Sequence, residues 1–132
     1  MRGIDEPFEV AKVPLAMVNE VDGIVYVSGH IPLDERGYFV QGDVGRQTTV
    51  VLQNIRQVLL EIGLTTTHIA KTTVFLSNAP RDFDAMNAAY GAFFGTHRPA
   101  RSTIGVQLAV DVLVEIEAVA HRPIKRVDGR DG

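Results

Sequence analysis

The clearest element in the sequence is a helix in the first half of the chain. Hydrophobic residues recur three or four positions apart from Val51 to Ile62, which is the spacing of one helix face. Asp43 is suited to cap its N-terminus, because a carboxylate can accept from the first free backbone amides. Gly63 stands where a glycine commonly ends a helix. The pattern therefore predicts a helix that begins after Asp43 and ends at Gly63.

A second helix is predicted over about 81–94, where large apolar side chains again recur at helical spacing. The residues that this spacing places on one face are Phe83, Met86, Tyr90 and Phe93. Pro99 follows and enforces an extended backbone. The helix therefore leads directly into another strand.

Short runs rich in β-branched and aromatic residues predict strands around these helices. The predicted strands are 23–29, 38–40, 69–76, 101–108 and 112–121, and an extra strand around 13–18 is also considered. Pro32 to Gly37 has the composition of a turn. The resulting order, ββαβαββ, predicts an α+β fold in which both helices pack on one face of a mixed sheet.

The alternation of residues along the last predicted strand indicates what covers each face of that sheet. One set of alternating residues is wholly apolar and suits the helices: Val112, Val114, Ile116, Ala118 and Ala120. The other set mixes apolar and charged groups: Leu113, Glu115, Glu117, Val119 and His121. Because two helices cannot cover both faces, we expect neighbouring subunits to cover the second face. The protein is therefore predicted to be an oligomer.

Arg101 begins the predicted strand 101–108 and shares a face with Thr103. The alternate set, which includes Ile104 and Val106, is apolar and is expected against the helices. Arg101 is then expected on the face that another subunit covers. A guanidinium there presents paired donors that match a carboxylate. The alternative is a salt bridge to one of the strand glutamates, and spacing alone favours this alternative.

Glu115 and Glu117 lie on the following strand. The short link between strands 101–108 and 112–121 predicts an antiparallel hairpin, which would bring both glutamates close to Arg101 and Thr103. A partly buried carboxylate beside a substrate can act as a general acid or base. Two solvated acids on a strand face are the alternative, and position alone favours it.

Composition and charge limit the classes of protein to which this chain can belong. With 132 residues the chain fits a single domain, predicted as 1–121, with 122–132 as a flexible tail. The net charge of −3 is carried by an acidic body, since the tail is basic. Nucleic acid is therefore not expected as a partner. No apolar run reaches membrane-spanning length and the N-terminus lacks a signal-like apolar region, so a cytoplasmic protein without membrane contact is expected.

Several kinds of reactive centre lack support in the sequence. There are no cysteines, hence no disulfide, thiolate ligand or cysteine nucleophile. The four histidines show no metal-ligand spacing and are interpreted as surface or loop residues. Ser28 does not stand in a nucleophile-elbow motif, and no glycine-rich phosphate loop is present. Neither a metal nor a cofactor is therefore expected.

Five segments together resemble the Rid family of enamine/imine deaminases, also called the YjgF-like family. They occur in family order and spacing, from about Val13 to His121, and the fourth is the most specific. The segments are VSGHIP (27–32), KTTVFL (71–76), MNAAYGAFF (86–94), RPARST (98–103) and VEIEAVA (114–120).

This resemblance implies a chorismate-mutase-like fold and a homotrimer with clefts between subunits. It implies a hydrolase of the 2-iminobutanoate/2-iminopropanoate deaminase type, which converts reactive 2-enamine or 2-imine acids, such as 2-aminoacrylate, to 2-keto acids and ammonia. By position, Arg101 would hold the substrate carboxylate and Glu115 would position or activate water. The remaining residues that would line the pocket are Ser28, Gly29, Asn87 and Thr103.

The chain departs from the family pattern at the rim of that pocket. Leu15 stands where deaminases usually carry a tyrosine, and the linker before the last strand is shorter and lacks a Leu-Pro pair. A non-catalytic binder or sensor of small carboxylates such as 2-keto acids is therefore the alternative function. An RNA-directed activity, sometimes attached to this family, is disfavoured by the acidic body.

Overall fold

The computed structural model describes residues 6–124, which form a two-layer α+β structure. Single turns of 3₁₀ helix lie at Val10–Lys12 and Thr66–His68. The principal elements in chain order are β1 (Val18–Val21), β2 (Ile24–His30), α1 (Val44–Glu61), β3 (Ile69–Leu76), α2 (Ala79–Phe94), β4 (Ala100–Gly105) and β5 (Val114–His121).

The five strands form one mixed sheet in the order β1-β2-β5-β3-β4. All neighbouring strands are antiparallel except β3 and β4, which are parallel and joined through α2. Such a crossover is the expected connection between parallel neighbours. Both helices pack on the same face of the sheet, which confirms the predicted fold class.

The core lies between that face and the helices. The apolar residues of β5 predicted to face the helices are all buried, including Val114 and Ile116, which are completely inaccessible. α1 contributes Val51, Leu52, Ile55 and Leu59. It begins as predicted, because the Asp43 carboxylate accepts from the backbone N–H of Arg46 at 2.9 Å.

The predicted strand 38–40 is wrong. The segment makes only a single bridge, between Leu33 and Phe39, and the chain turns instead. The Asp34 carboxylate accepts from the backbone N–H groups of Arg36 and Tyr38, which is the local bonding that draws aspartate into turns. At the edge of the sheet, β2 pairs instead with β1, which overlaps the considered segment 13–18 only at Val18.

The predicted hairpin between the last two strands is also wrong, because β3 lies between β4 and β5. β4 pairs only with β3, as the parallel edge strand, and β5 pairs with β2 and β3. Linker length could not reveal this arrangement, since eight residues are enough to cross the end of one strand.

The buried face of α2 is rotated from its predicted position. Met86, Tyr90 and Phe94 are buried, whereas Phe83 keeps 43% of its surface exposed. Phe93 is half-buried, and the guanidinium of Arg56 on α1 lies 5.1 Å from its ring centroid. The rotation matters for the site, because it leaves Phe83 beside Arg101.

The second face of the sheet is uncovered in the single chain and is partly apolar. Tyr26 alternates along β2 with the buried Val25 and Val27, and it remains 49% exposed. Other exposed apolar residues on this side include Val21, Ile24 and Ile104. We call this surface the open face. A patch of this kind is typical of a protein interface.

Arg122, the first residue of the predicted tail, makes contacts with two other parts of the chain. Its guanidinium donates to both carboxylate oxygens of Glu20, at 2.9 and 3.0 Å, and to the carbonyl of Ile62 at 3.0 Å. Arg122 thus ties the end of β5 to β1 and α1. The rest of the predicted tail, from residue 125 onward, lies outside the described residues.

Candidate active site

Arg101 lies on the helix side of the sheet and not on the open face, which corrects the predicted orientation. In the parallel pair of β3 and β4 it is in register with Thr72, which is buried against α2. The apolar residue Ile104, expected against the helices, is 43% exposed on the open face. Hydrophobicity misled the prediction here because β4 is an edge strand, and the open face also carries apolar groups.

The Arg101 guanidinium is held by neutral groups of α2. It donates to the Asn87 side chain at 2.7 Å, and it lies 4.8 Å from the Tyr90 ring centroid and 6.0 Å from that of Phe83. The Asn87 atom must be its oxygen, since a guanidinium has only donors. No carboxylate of residues 6–124 lies within salt-bridge distance of Arg101. The alternative of a salt bridge to Glu115 or Glu117 is therefore wrong.

Tyr90 is fixed from the opposite direction. Its hydroxyl and that of Thr72 lie 2.6 Å apart in the interior between α2 and β3. Burial raises the pKa of Tyr90, so the phenol stays neutral at physiological pH. The ring that stacks on Arg101 is thus anchored to the sheet, which limits the positions open to the guanidinium.

Arg101 opens onto a cleft of about 310 Å³. Its lining residues are Asn87, Tyr90, Gly91, Arg98, Pro99 and Arg101. Thr103 is half-buried two residues further along β4, on the side of the strand that Arg101 occupies. With two guanidinium groups in its lining, the cleft is suited to bind an anion. Arg98 and the aromatic rings were not singled out from the sequence, although Arg98 belongs to the RPARST motif.

Glu115 lies in a different place. It belongs to β5, points to the open face and is half-buried above Gly29. The contact is close enough that an added Cβ on Gly29 would collide with the Glu115 carboxylate. Burial, and secondarily the negative charge of Glu117, raise the pKa of Glu115. A carboxyl group in this state is suited to exchange protons with a ligand.

Ser28 and His30 flank Gly29 at an irregularity in the pairing of β2 with β5. The Ser28 hydroxyl donates to the carbonyl of Ala16 at 2.6 Å. His30 is 5% exposed, which corrects its interpretation as a surface or loop residue. Its Nδ1 donates to the Ser28 carbonyl at 2.7 Å, and its buried Nε2 has no partner. Burial lowers the pKa of His30, so the ring is held in its neutral form.

Leu15 lines a pocket of about 400 Å³ that also contains Glu115, Gly29 and His30. Its side chain is 51% exposed, and most of the other lining residues are apolar. We call this space the apolar chamber. Leu15 and Glu115 therefore line the same pocket.

The predicted site residues therefore form two clusters in one chain. Arg101, Asn87 and Thr103 form the arginine cluster, and Ser28, Gly29, Glu115 and Leu15 form the glutamate cluster. Arg101 and Glu115 project from opposite sides of the sheet. Two strand spacings and three residues of strand rise separate their Cα atoms by roughly 14 Å. The hairpin that would have joined the clusters does not exist.

Within residues 6–124, no group of three or more histidine or acidic side chains is placed to hold a metal ion. Neither is there a helix in that range with the length and apolar character needed to cross a membrane.

Two helices on one face of a mixed five-stranded sheet in this strand order define a chorismate-mutase-like α+β protein. A family model described as Endoribonuclease L-PSP matches residues 9–122. The chain therefore belongs to this family, which is also known as the YjgF-like or Rid family, and the resemblance found in its motifs is confirmed.

Individual relatives agree with this assignment. A RutC family protein of Pyrococcus abyssi is 39% identical over 111 residues, which cover 83% of this chain and 87% of that protein. A 2-iminobutanoate/2-iminopropanoate deaminase of Salmonella typhimurium is 40% identical over 107 residues, covering 78% and 83%. The crystal structure of the Escherichia coli YjgF gene product superposes with a TM-score of 0.78 at 35% identity, covering 91% of this chain and 95% of that one.

Proposed function

We propose that the protein hydrolyses reactive 2-imino acids to 2-keto acids and ammonia. The observation that carries the proposal is the Arg101 guanidinium, which is held by Asn87 and two aromatic rings and has no carboxylate partner within residues 6–124. A cation fixed in this way is ready to bind a ligand carboxylate in a bidentate manner. Relatives named deaminases support the reaction class.

The proposed reaction needs only orientation and proton transfer. Arg101 binds the substrate carboxylate, and the Glu115 carboxylate takes a proton from water as the water oxygen bonds to the imine carbon. Glu115 gives that proton to the imine nitrogen, which completes a carbinolamine with a hydroxyl and an amine on the same carbon. Glu115 then takes the proton of that hydroxyl and passes it to the amine, the C=O bond forms as the C–N bond breaks, and ammonia leaves. Positioned proton transfer of this kind contributes on the order of 10²–10⁴-fold.

We propose further that the site forms between subunits of a homotrimer. Arg101 and Glu115 cannot reach one small substrate within a single chain, because they lie roughly 14 Å apart on opposite sides of the sheet. The open face carries the glutamate cluster beside exposed apolar side chains such as Tyr26 and Ile104. A neighbouring subunit that covers this face could bring its own arginine cluster to Glu115.

The test measures keto-acid and ammonia release from 2-aminoacrylate or its imine generated in situ. The protein is expected to exceed the spontaneous rate, and Arg101→Ala is expected to lower kcat/KM by 10²-fold or more, because the carboxylate loses its positioning partner. Arg56→Ala is the matched control. Arg56 is also an arginine on an aromatic ring of α2, but it lines neither cluster. The proposal is contradicted if the wild-type protein does not accelerate the reaction above the spontaneous rate.

The alternative function, a binder or sensor of small carboxylates, is favoured by Leu15, which has no hydroxyl to donate to a ligand. It predicts that 2-keto acids raise the Tm saturably through binding to the native state, without turnover of imines. Loss of that stabilisation in Arg101→Ala would locate the binding at the arginine cluster. Hydrolysis of imines at a rate above background excludes this alternative.

A further inference from the structure

The apolar chamber is far larger than a substrate with a methyl side chain requires. It measures about 400 Å³, and the carboxylate of Glu115 lies in its wall. Its walls come from the segment before β1, the loop after β2, α1 and the linker before β5. The apolar side chains that dominate these walls include Leu15, Met17, Ile31, Leu33, Val58 and Val110.

The chamber also offers few free polar partners. The Asn54 amide donates to the carbonyl of Leu33 at 2.8 Å, and the Asp34 carboxylate accepts from two backbone N–H groups of its own turn. His30 donates through Nδ1 to the Ser28 carbonyl, and its unpartnered Nε2 is buried. Gln57 also lines the chamber. A polar side chain of a substrate would therefore lose water here and regain few hydrogen bonds.

The geometry points to the apolar chamber as the specificity pocket, which accepts the substrate side chain. This inference rests on the proposed function. The reacting carbon bears a carboxylate, a nitrogen and a side chain. With the carboxylate held by the arginine cluster of the neighbouring subunit and the carbon within reach of Glu115, the side chain extends into the space beside Glu115. The preferred substrates are therefore imines of branched-chain and aromatic amino acids, and not the imine derived from 2-aminoacrylate.

The expected preference follows from burial of apolar surface. Each additional methylene buried in the chamber is worth about fourfold in kcat/KM. The imine of leucine carries three more carbons than the imine of alanine. We expect kcat/KM for the leucine imine to exceed that for the alanine imine by roughly 10- to 60-fold, the upper value applying when all three carbons are buried.

The experiment generates imines in situ with an amino-acid oxidase from alanine, leucine and phenylalanine, and measures keto-acid release above the spontaneous rate. Higher kcat/KM for the leucine and phenylalanine imines supports the inference. An alanine imine that is hydrolysed as fast or faster overturns it.

A pair of leucine variants tests the chamber itself. Leu15→Tyr adds an aromatic ring inside the chamber, so the leucine-to-alanine selectivity is expected to fall about fivefold or more. Leu60→Tyr makes the same change at a residue on α1 with the same 51% exposure, outside the lining of the chamber. It should keep wild-type selectivity. Unchanged selectivity in Leu15→Tyr overturns the inference, as expected if a neighbouring subunit fills the chamber.

Failure of the proposed function can be told apart from failure of this inference. If no imine is hydrolysed faster than it decays spontaneously, the deaminase proposal fails, and binding of keto acids becomes the readout. A larger increase in Tm with 4-methyl-2-oxopentanoate than with pyruvate at equal concentration then supports an apolar specificity pocket. Equal increases overturn it.

Discussion

At the scale of single residues, the proposed role of Arg101 depends on a charge that has no carboxylate partner among residues 6–124. Aromatic faces attract its cation, and the Asn87 oxygen accepts one donor, yet none of these groups neutralises the charge. A salt bridge would have occupied the donors that a carboxylate needs. The absence of such a bridge within the described residues therefore bears on function more directly than the presence of the arginine.

The proposed proton-transfer role of Glu115 leads to a prediction about the pH dependence of activity. Because burial raises its pKa above that of an ordinary glutamate, a base at this position loses activity as the pH falls through a value above 4.5. We expect kcat/KM to decline on the acid side with this pKa, and Glu115→Gln to remove most of the activity at all pH values. Rates across pH 4–8 check this, and a Glu115→Gln enzyme with the wild-type profile contradicts it.

The raised pKa of Glu115 affects stability in the opposite direction from activity, because stability is expected to fall as the pH rises. A raised pKa in the folded state means that the ionised carboxylate is disfavoured there, so the contribution of Glu115 to stability is lost as the pH rises through that pKa. Glu115→Gln is therefore expected to be more stable than the wild type at pH 7 and to lose this advantage below about pH 4.5. Equal Tm values at pH 7 would contradict this.

Gly29 leaves the space that the Glu115 carboxylate occupies. In Gly29→Ala, the new methyl group would displace that carboxylate, and we expect kcat/KM to fall by about 10- to 100-fold with little change in Tm. Gly45→Ala is the control, because its Cβ would meet only Asp43 Oδ1 at 3.4 Å and the Ala85 carbonyl at 4.0 Å. Full activity in Gly29→Ala would show that the position of Glu115 is unimportant.

At the scale of elements, the geometry of the arginine cluster depends on how α2 packs against β3. The contact is the buried hydrogen bond between Tyr90 and Thr72, which fixes the rotation of α2 and so presents both Asn87 and Tyr90 to Arg101. Its partners are 18 residues apart in sequence. The helical spacing predicted which residues α2 contains, but the sheet decided which of them it buries.

A double-mutant cycle measures the coupling energy between the hydroxyls of Tyr90 and Thr72. Tyr90→Phe and Thr72→Val each leave one buried hydroxyl without its partner, and each is expected to lower the free energy of unfolding by about 1–3 kcal/mol. The double variant should lose less than the sum, because neither hydroxyl remains. Denaturant unfolding checks this, with Tyr38→Phe as a control on a half-buried tyrosine. Additive losses contradict coupling between the two hydroxyls.

At the scale of the whole molecule, the separation of the two clusters predicts complementation between subunits. Arg101→Ala keeps an intact glutamate cluster, and Glu115→Gln keeps an intact arginine cluster. In randomly mixed oligomers about a quarter of the sites would combine the two intact clusters. Co-expression of the two inactive variants with different tags is therefore expected to restore about a quarter of the wild-type activity. Activity that stays at the level of the separate variants would contradict a shared site.

The sequence by itself determined both helices, most of the strands and the fold class. Asp43 and Gly63 bound α1 through local hydrogen bonding and backbone conformation, and alternation along β5 correctly separated buried from open positions. These features depend on neighbours a few residues away. The motifs around Arg101 and Glu115 identified the family for the same reason, since each is a short contiguous segment.

Only the tertiary structure decided how those residues are combined. β3 lies between β4 and β5, so Arg101 and Glu115 are separated and not paired in a hairpin. Contacts between distant segments also decide which face of the sheet each residue of the edge strand β4 occupies. They decide the rotation of α2 as well, as the hydrogen bond between Thr72 and Tyr90 shows. Strand order and helix rotation follow from packing of the entire sheet, and a pattern read along one segment does not contain that information.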